Sequence, residues 1–245
     1  MERTAGAITN CNTIQMLDSI LLSERHIRRC FTLCLINNPF SSESTPDHKL
    51  VIRAIQGGPS STSARLVSRT RLTHARGHLS ATISLPCAQG IWPAFWLLPS
   101  EPFSWPNDGE IDIAETWNRS MENHACLHWG HYTPQDADKH RVAKNKIPDM
   151  DVRPVKFDLY WDEPARKLVW LVDGRPVMRE EIPRGLRPMA DWNILLNVAM
   201  GGNVCDGQRP VDGTYDMVVH DMTMSSIKAK AIDHYYSKAR SGKPL

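Results

Sequence analysis

Three carboxylates fall within the six residues Glu110-Ile111-Asp112-Ile113-Ala114-Glu115, preceded by Gly109 and followed by Thr116-Trp117, in a stretch that otherwise favours an extended chain. In a β-strand alternate side chains share a face, so Glu110 and Asp112 project together while Ile111 and Ile113 turn the other way. Glu115 has the wrong parity. A β-bulge at Ile113-Ala114 would absorb one residue and return Glu115 to the face of Glu110 and Asp112, and bulges are common beside active sites. Carboxylates paired on one face suit the cleavage of a glycosidic bond, in which one group acts at the sugar carbon and the other protonates the leaving oxygen. With the bulge, about four strand steps separate Glu110 from Glu115, roughly 13 Å between Cα atoms. Side chains leaning together across a concave sheet would reach the roughly 5 to 5.5 Å of a retaining pair, and the roughly 6.5 to 9.5 Å of an inverting pair stays open. Asp112, between them, would hold the nucleophile's orientation and raise the proton affinity of the acid by like-charge repulsion.

The same triplet alone would also suit a solvated edge strand or a calcium site, since hard cations take carboxylate oxygens. The flanks argue for a sugar cleft. Upstream runs Gly90-Ile91-Trp92-Pro93-Ala94-Phe95-Trp96-Leu97-Leu98-Pro99, then Trp105-Pro106, and all eight Trp lie at or after Trp92. Aromatic rings are core material as well as sugar platforms. Of Trp92 and Trp96, one is expected toward substrate and one toward the core, and Trp105 and Trp117 are the stacking candidates. His128 is placed facing either the cleft, to bond sugar or a catalytic carboxylate, or the interior. Asn197 lies in an apolar strand, where a buried amide needs partners in either a cleft or a structural role.

Taken together, the run from Ala64-Arg65-Leu66 through Gly90 to Pro99 into Gly109 to Glu115, with Leu127-His128-Trp129-Gly130 and Leu196-Asn197-Val198-Ala199-Met200-Gly201-Gly202, resembles glycoside hydrolase family 16, the laminarinase and endo-β-glucanase-like family. The resemblance covers roughly residues 48 to 225. It implies a concanavalin A-like β-jelly roll and retaining, endo-acting cleavage of β-1,3 or mixed β-1,3/1,4 glucan, with Glu110 as nucleophile, Asp112 as assisting carboxylate and Glu115 as acid/base. Transglycosylation of cell-wall glucan, or glycan binding without catalysis, are the competing classes. The sequence departs from the family at Arg76 to Thr82, which suggests a different cleft wall. It departs again at Asn203-Val204-Cys205, where a Trp is usual, and in Asp216 to Met222, which argues against the family's structural calcium. No metal and no cofactor is assigned.

The rest of the chain must position these residues. Its 245 residues are 41% hydrophobic, enough for one well-buried domain, and the net charge of +2 argues against a nucleic-acid partner, which would demand a basic surface. No apolar run approaches the roughly 18 residues of a membrane span. Strand patterns bounded by Gly, Pro, Asn or Asp recur at His48 to Ile55, Ala64 to Arg71, Gly77 to Leu85, Glu110 to Trp117, His124 to Trp129, Val155 to Trp161, Lys167 to Val172, Asn193 to Ala199 and Tyr215 to Met224. Asp173-Gly174 reads as a tight hairpin turn. The expectation is therefore all-β, a jelly-roll sandwich of two bent antiparallel sheets, with a short helix near Arg184 to Asp191.

Residues 1–47 read as an atypical extension, partly helical or disordered, with Met16, Leu17, Ile20 and Leu21 forming an apolar helical face within Met16 to Leu35. Residues 48–225 form the catalytic domain and 226–245 a basic tail. Arg25, Arg28 and Arg29 before Cys30 to Ile36 mimic a signal sequence, but the apolar run is short and far from the start. Relatives are usually secreted, so an extracellular site is expected if the true N-terminus is missing. The six Cys, including Cys87, Cys126 and Cys205 in the domain, read as small buried residues rather than a disulfide framework. A monomer acting on a polysaccharide is expected.

Overall fold

The computed structural model describes residues 31–36, 42–44, 49–57 and 61–245. Alternation of apolar and polar residues builds two facing antiparallel sheets. Among the described residues, the first runs β1 (Phe31–Ile36), β4 (Ser63–Arg71), β13 (Trp192–Met200), β6 (Ile91–Pro99), β7 (Glu110–Glu115), β8 (Glu122–His128), β9 (His140–Lys146) and β15 (Lys243–Pro244). The second runs β12 (Arg175–Glu181), β11 (Lys167–Val172), β10 (Val155–Asp162), β5 (Arg76–Ser84), β14 (Gly213–Ser226), β3 (Leu50–Gln56) and β2 (Ser42–Ser44). This is the all-β jelly-roll sandwich that the strand spacing predicts.

Between the sheets lie Phe95 and Leu97 of β6, Ile111 and Ile113 of β7, Phe157, Leu159 and Trp161 of β10, and Trp170 of β11, each almost wholly excluded from solvent. Burying a large side chain contributes about 1.5 to 3 kcal/mol, so this inner face fixes which side of each strand is left for the cleft. Asp173 and Gly174 both adopt positive φ, 47° and 74°, and close the β11–β12 hairpin as the sequence predicts.

Three expectations are corrected. The run Phe31 to Ile36 is a strand paired in register with β4, from Phe31 opposite Ser68 to Ile36 opposite Ser63, so the helical reading of Met16 to Leu35 fails at its C-terminal end. Its β-branched and aromatic content, together with a long partner strand, outweighs the weak helical period. The remainder, Met16 to Leu21 included, lies outside the described residues. The helix expected near Arg184 is reduced to a 3-10 turn over Met189–Asp191 that follows Pro188, because Pro183, Gly185 and Pro188 interrupt the segment.

Residues 226–245 do not trail as a basic tail. A short helix α1 (Asp233–Lys238) sits with Ile232 and Ala239 against Val169 and Leu171 on the outer face of β11. Lys243 and Pro244 then pair with β9, while the Arg179 amide donates to the Arg240 carbonyl and Gly242 N–H to Glu180. The segment thus straps the second sheet to the edge of the first.

Candidate active site

The carboxylates stand on β7, and the ladder to β6 contains the inserted residue. Phe95 pairs with Ala114 but the next residue, Trp96, pairs with Asp112, so Ile113 is the extra residue of a bulge. Trp96 and Ala94 share a face of β6, and their partners Asp112 and Glu115 therefore share the same face of β7. Glu110, two residues before Asp112, joins them. Ile111 and Ile113 enter the core.

A bulge strands backbone groups, and side chains supply partners for three of them. Trp170 Nε1, reaching across from the second sheet, donates to the Asp112 carbonyl at 2.9 Å. The fully buried Asn123 accepts from the Glu115 amide at 2.9 Å through Oδ1, and its Nδ2 lies 3.4 Å from the Ile113 carbonyl oxygen. One side chain thus replaces the β7–β8 ladder beyond Asp112, where regular pairing stops. Buried backbone groups left without partners cost about 1 to 3 kcal/mol each, so Asn123 and Trp170 hold the distortion in place.

Each glutamate is held by an indole. Trp105 Nε1 donates to Glu110 Oε2 at 2.8 Å, and Trp92 Nε1 donates to Glu115 Oε1 at 2.7 Å. Burial pushes the Glu110 carboxyl up to about 7; the negative charge of Asp112 adds to this, while His128, the Trp105 bond and Arg65 pull the other way. Burial also raises Asp112, so a proton is retained on this pair into the neutral range. Asp112 Oδ2 lies 3.4 Å from His128 Nε2. His128 Nδ1 is 3.1 Å from His140 Nδ1, and His140 Nε2 is 3.2 Å from the His131 carbonyl oxygen. A carbonyl only accepts, so with neutral rings the chain of bonds assigns His140 its proton at Nε2 and His128 its proton at Nδ1. His128 Nε2 then offers a lone pair to a proton on Asp112.

The candidate residues divide as follows. Trp92 and Trp96 are not split between cleft and core: with Ala94 between them they share parity, and both are partly exposed on the carboxylate face. Trp96 Nε1 donates to Asn197 Oδ1 at 2.7 Å, which gives the Asn197 amide its partner on that face. Trp105 sits at Glu110. Trp117 lies just past β7 and stacks on His124 at 4.0 Å. His128 is buried and turned to Asp112, in register with Glu110 across β7–β8. The altered segment Arg76 to Thr82 lies on β5, in the second sheet, so it forms no wall of this face.

Sequence reasoning misses Asn123, Arg65, Tyr132 and His140. Arg65 on β4 stacks over the Trp96 ring at 4.6 Å and acts electrostatically on Glu110. Tyr132 stacks on His140 at 3.9 Å and tilts against Trp105 at 5.5 Å, extending an aromatic flank beside Glu110. His140 carries an available signal: it stands on β9 directly opposite His128 of β8, with the parity that turns the two rings to one face.

A two-sheet sandwich with two indole-clamped glutamates on one face, and a third carboxyl between them, belongs to the class of carbohydrate-active jelly rolls. Comparison with known proteins gives the family. The model described as the XgeA-like, catalytic GH16 domain matches residues 44–156. A glucan endo-1,3-β-glucosidase of Cryptopygus antarcticus is 29% identical over 71% of this chain and 71% of its own length. A β-glucanase of Rhodothermus marinus is 29% identical over 62% of this chain, which spans 56% of that relative's length. The crystal structure of the Rhodothermus marinus laminarinase superposes with a TM-score of 0.65 at 23% identity, covering 77% of this chain and 81% of that one. The chain is glycoside hydrolase family 16-like, similar to laminarinases and endo-β-glucanases, and is an O-glycosyl hydrolase. Among the described residues no helix is long and apolar enough to cross a membrane.

Proposed function

We propose that the chain hydrolyses internal bonds of a β-glucan, β-1,3 or mixed β-1,3/1,4 linked, with retention at the anomeric carbon. The observation that carries this reading is the one-residue bulge at Ile113, which sets Glu110 and Glu115 on one face of β7. Glu110, ionised, attacks the anomeric carbon as Glu115 gives its proton to the departing glycosidic oxygen, forming a glycosyl ester. Glu115, now a carboxylate, takes a proton from water, whose oxygen displaces Glu110. Asp112 keeps a proton shared with His128, so the ionised Glu110 is not set beside a second full negative charge. The Trp105 N–H steadies the ionised nucleophile. Trp92 orients the acid, and Trp96 and Trp117 offer ring faces to sugars.

The endo-1,3-glucosidase and β-glucanase relatives support the choice of glucan. We further read the protein as a monomer whose catalytic unit spans the two sheets, and which acts outside the cell. Release of reducing ends from laminarin and lichenan, lost in Glu110→Gln, tests the reading. Products longer than the substrate would instead indicate glycosyl transfer. Binding of these glucans without cleavage would refute catalysis.

A further inference from the structure

The carboxylate face contains a second constellation, which joins Asp112 and His128 to Cys126, a residue that hydrolysis does not use. On β8, Cys126 and His128 are two residues apart and share a face, and Asp112 stands directly opposite Cys126 on β7. The Sγ, imidazole nitrogen and carboxylate oxygen lie within 4.8 Å of one another, and all three residues are buried. Asp112 Oδ2 is shut off from solvent and has no hydrogen-bond partner. The bond chain through His140 to the His131 carbonyl directs the His128 Nε2 lone pair at that oxygen, 3.4 Å away. Two electron-rich atoms at this separation need a positive charge between them, either the proton assigned to Asp112 above or a cation that takes its place.

We propose that Asp112, Cys126 and His128 form a binding site for a thiophilic divalent cation of the zinc type. Thiolate, imidazole and carboxylate are the donor set such ions prefer, at about 2.0 to 2.3 Å, so two donors about 3.4 Å apart are already at ligand spacing. His128 is held in the tautomer that ligation needs by the hydrogen bond its other nitrogen makes, the outer-shell arrangement typical of metal-bound histidine. The cation replaces the proton between Asp112 and His128 and displaces the Cys126 thiol proton to solvent. A bound cation also occupies the carboxyl that assists Glu110, so it inhibits; this consequence rests on the role proposed above for Asp112, whereas binding itself does not.

The test uses the full chain, Zn2+ for inhibition and Co2+ as a spectroscopic probe. Expected are inhibition reversed by a chelator and a near-ultraviolet thiolate-to-cobalt band. Cys126→Ala keeps hydrolysis of laminarin, loses the band, and weakens inhibition at least about tenfold. Cys87→Ala keeps both signals. A thiolate band that survives Cys126→Ala, or inhibition unchanged by it, overturns the site. A Cys126-dependent band without inhibition supports the site and counts against the role of Asp112.

Discussion

Asn123→Ala removes the side chain that holds the bulge while leaving every carboxylate in place. Asn123 is fully buried, and its loss strips the 2.9 Å bond from the Glu115 amide. The contact to the Ile113 carbonyl, at 3.4 Å, is near the limit of a hydrogen bond and contributes less. An orphaned N–H at about 1 to 3 kcal/mol, with the small cavity the amide leaves, predicts a stability loss of about 2 to 4 kcal/mol. The functional loss should be larger than folding alone explains, because the stranded amide belongs to Glu115 itself. A misplacement of about 1 Å at a reacting group costs roughly a hundredfold. Kinetics on two substrates isolate the cause. With laminarin, whose leaving sugar needs a proton, kcat should fall about a hundredfold. With an oligoglucoside carrying a dinitrophenyl leaving group, which departs without one, the glycosylation step should fall far less. Urea unfolding, monitored by tryptophan fluorescence, gives the stability arm. Equal losses on the two substrates would refute the reasoning, since Glu115 would then not be the group that Asn123 positions.

Other perturbations follow from the same geometry. Glu115→Gln should lower kcat on glucan by roughly 10²- to 10⁴-fold, with much of the loss absent on the dinitrophenyl substrate. On the proposed mechanism Glu110 must ionise to attack, so kcat/KM should climb with pH on an acidic limb centred at about 7, and a limb near the ordinary carboxylate range would contradict the burial argument. The same shift has a cost in stability: between 4.5 and about 7 the folded chain keeps a proton that the unfolded chain has released. The free energy of unfolding therefore falls as pH rises through that window, and Glu110→Gln should flatten the fall, as measured by denaturation at pH 5 and pH 8. Trp170→Phe leaves the ring but deprives the Asp112 carbonyl of its 2.9 Å donor, and should cost about 1 to 3 kcal/mol in urea unfolding.

Much of this site is legible in the sequence because strand parity is a two-state property. Glu110 and Asp112 share a face by counting alone, and the off-parity Glu115 itself signals an inserted residue, which the structure puts at Ile113. The same counting puts Trp92 and Trp96 on one face, so the expected division between cleft and core fails on strand parity itself. Strands with little apolar content are harder. The sequence His140-Arg141-Val142-Ala143-Lys144-Asn145-Lys146 reads as polar, yet forms β9 because β8 on one side and the C-terminal strap on the other supply its ladder. β6 carries Pro93, which ordinarily disfavours a central strand, and is tolerated where the β6–β7 ladder has ended at Ala94–Glu115. Asn123 and Trp170 were invisible for a different reason: they serve backbone atoms on other strands, and no local pattern records which carbonyl a bulge will strand.

On the proposed mechanism the bulge sets Glu110 to attack while Glu115 supplies the proton. The most direct test is to trap the enzyme with an activated 2-fluoro β-glucoside oligomer and map the modified peptide by mass spectrometry. A single stable adduct on Glu110 is predicted, released slowly when an acceptor sugar is added. An adduct on Glu115, or inverted products with no adduct at all, would contradict the account.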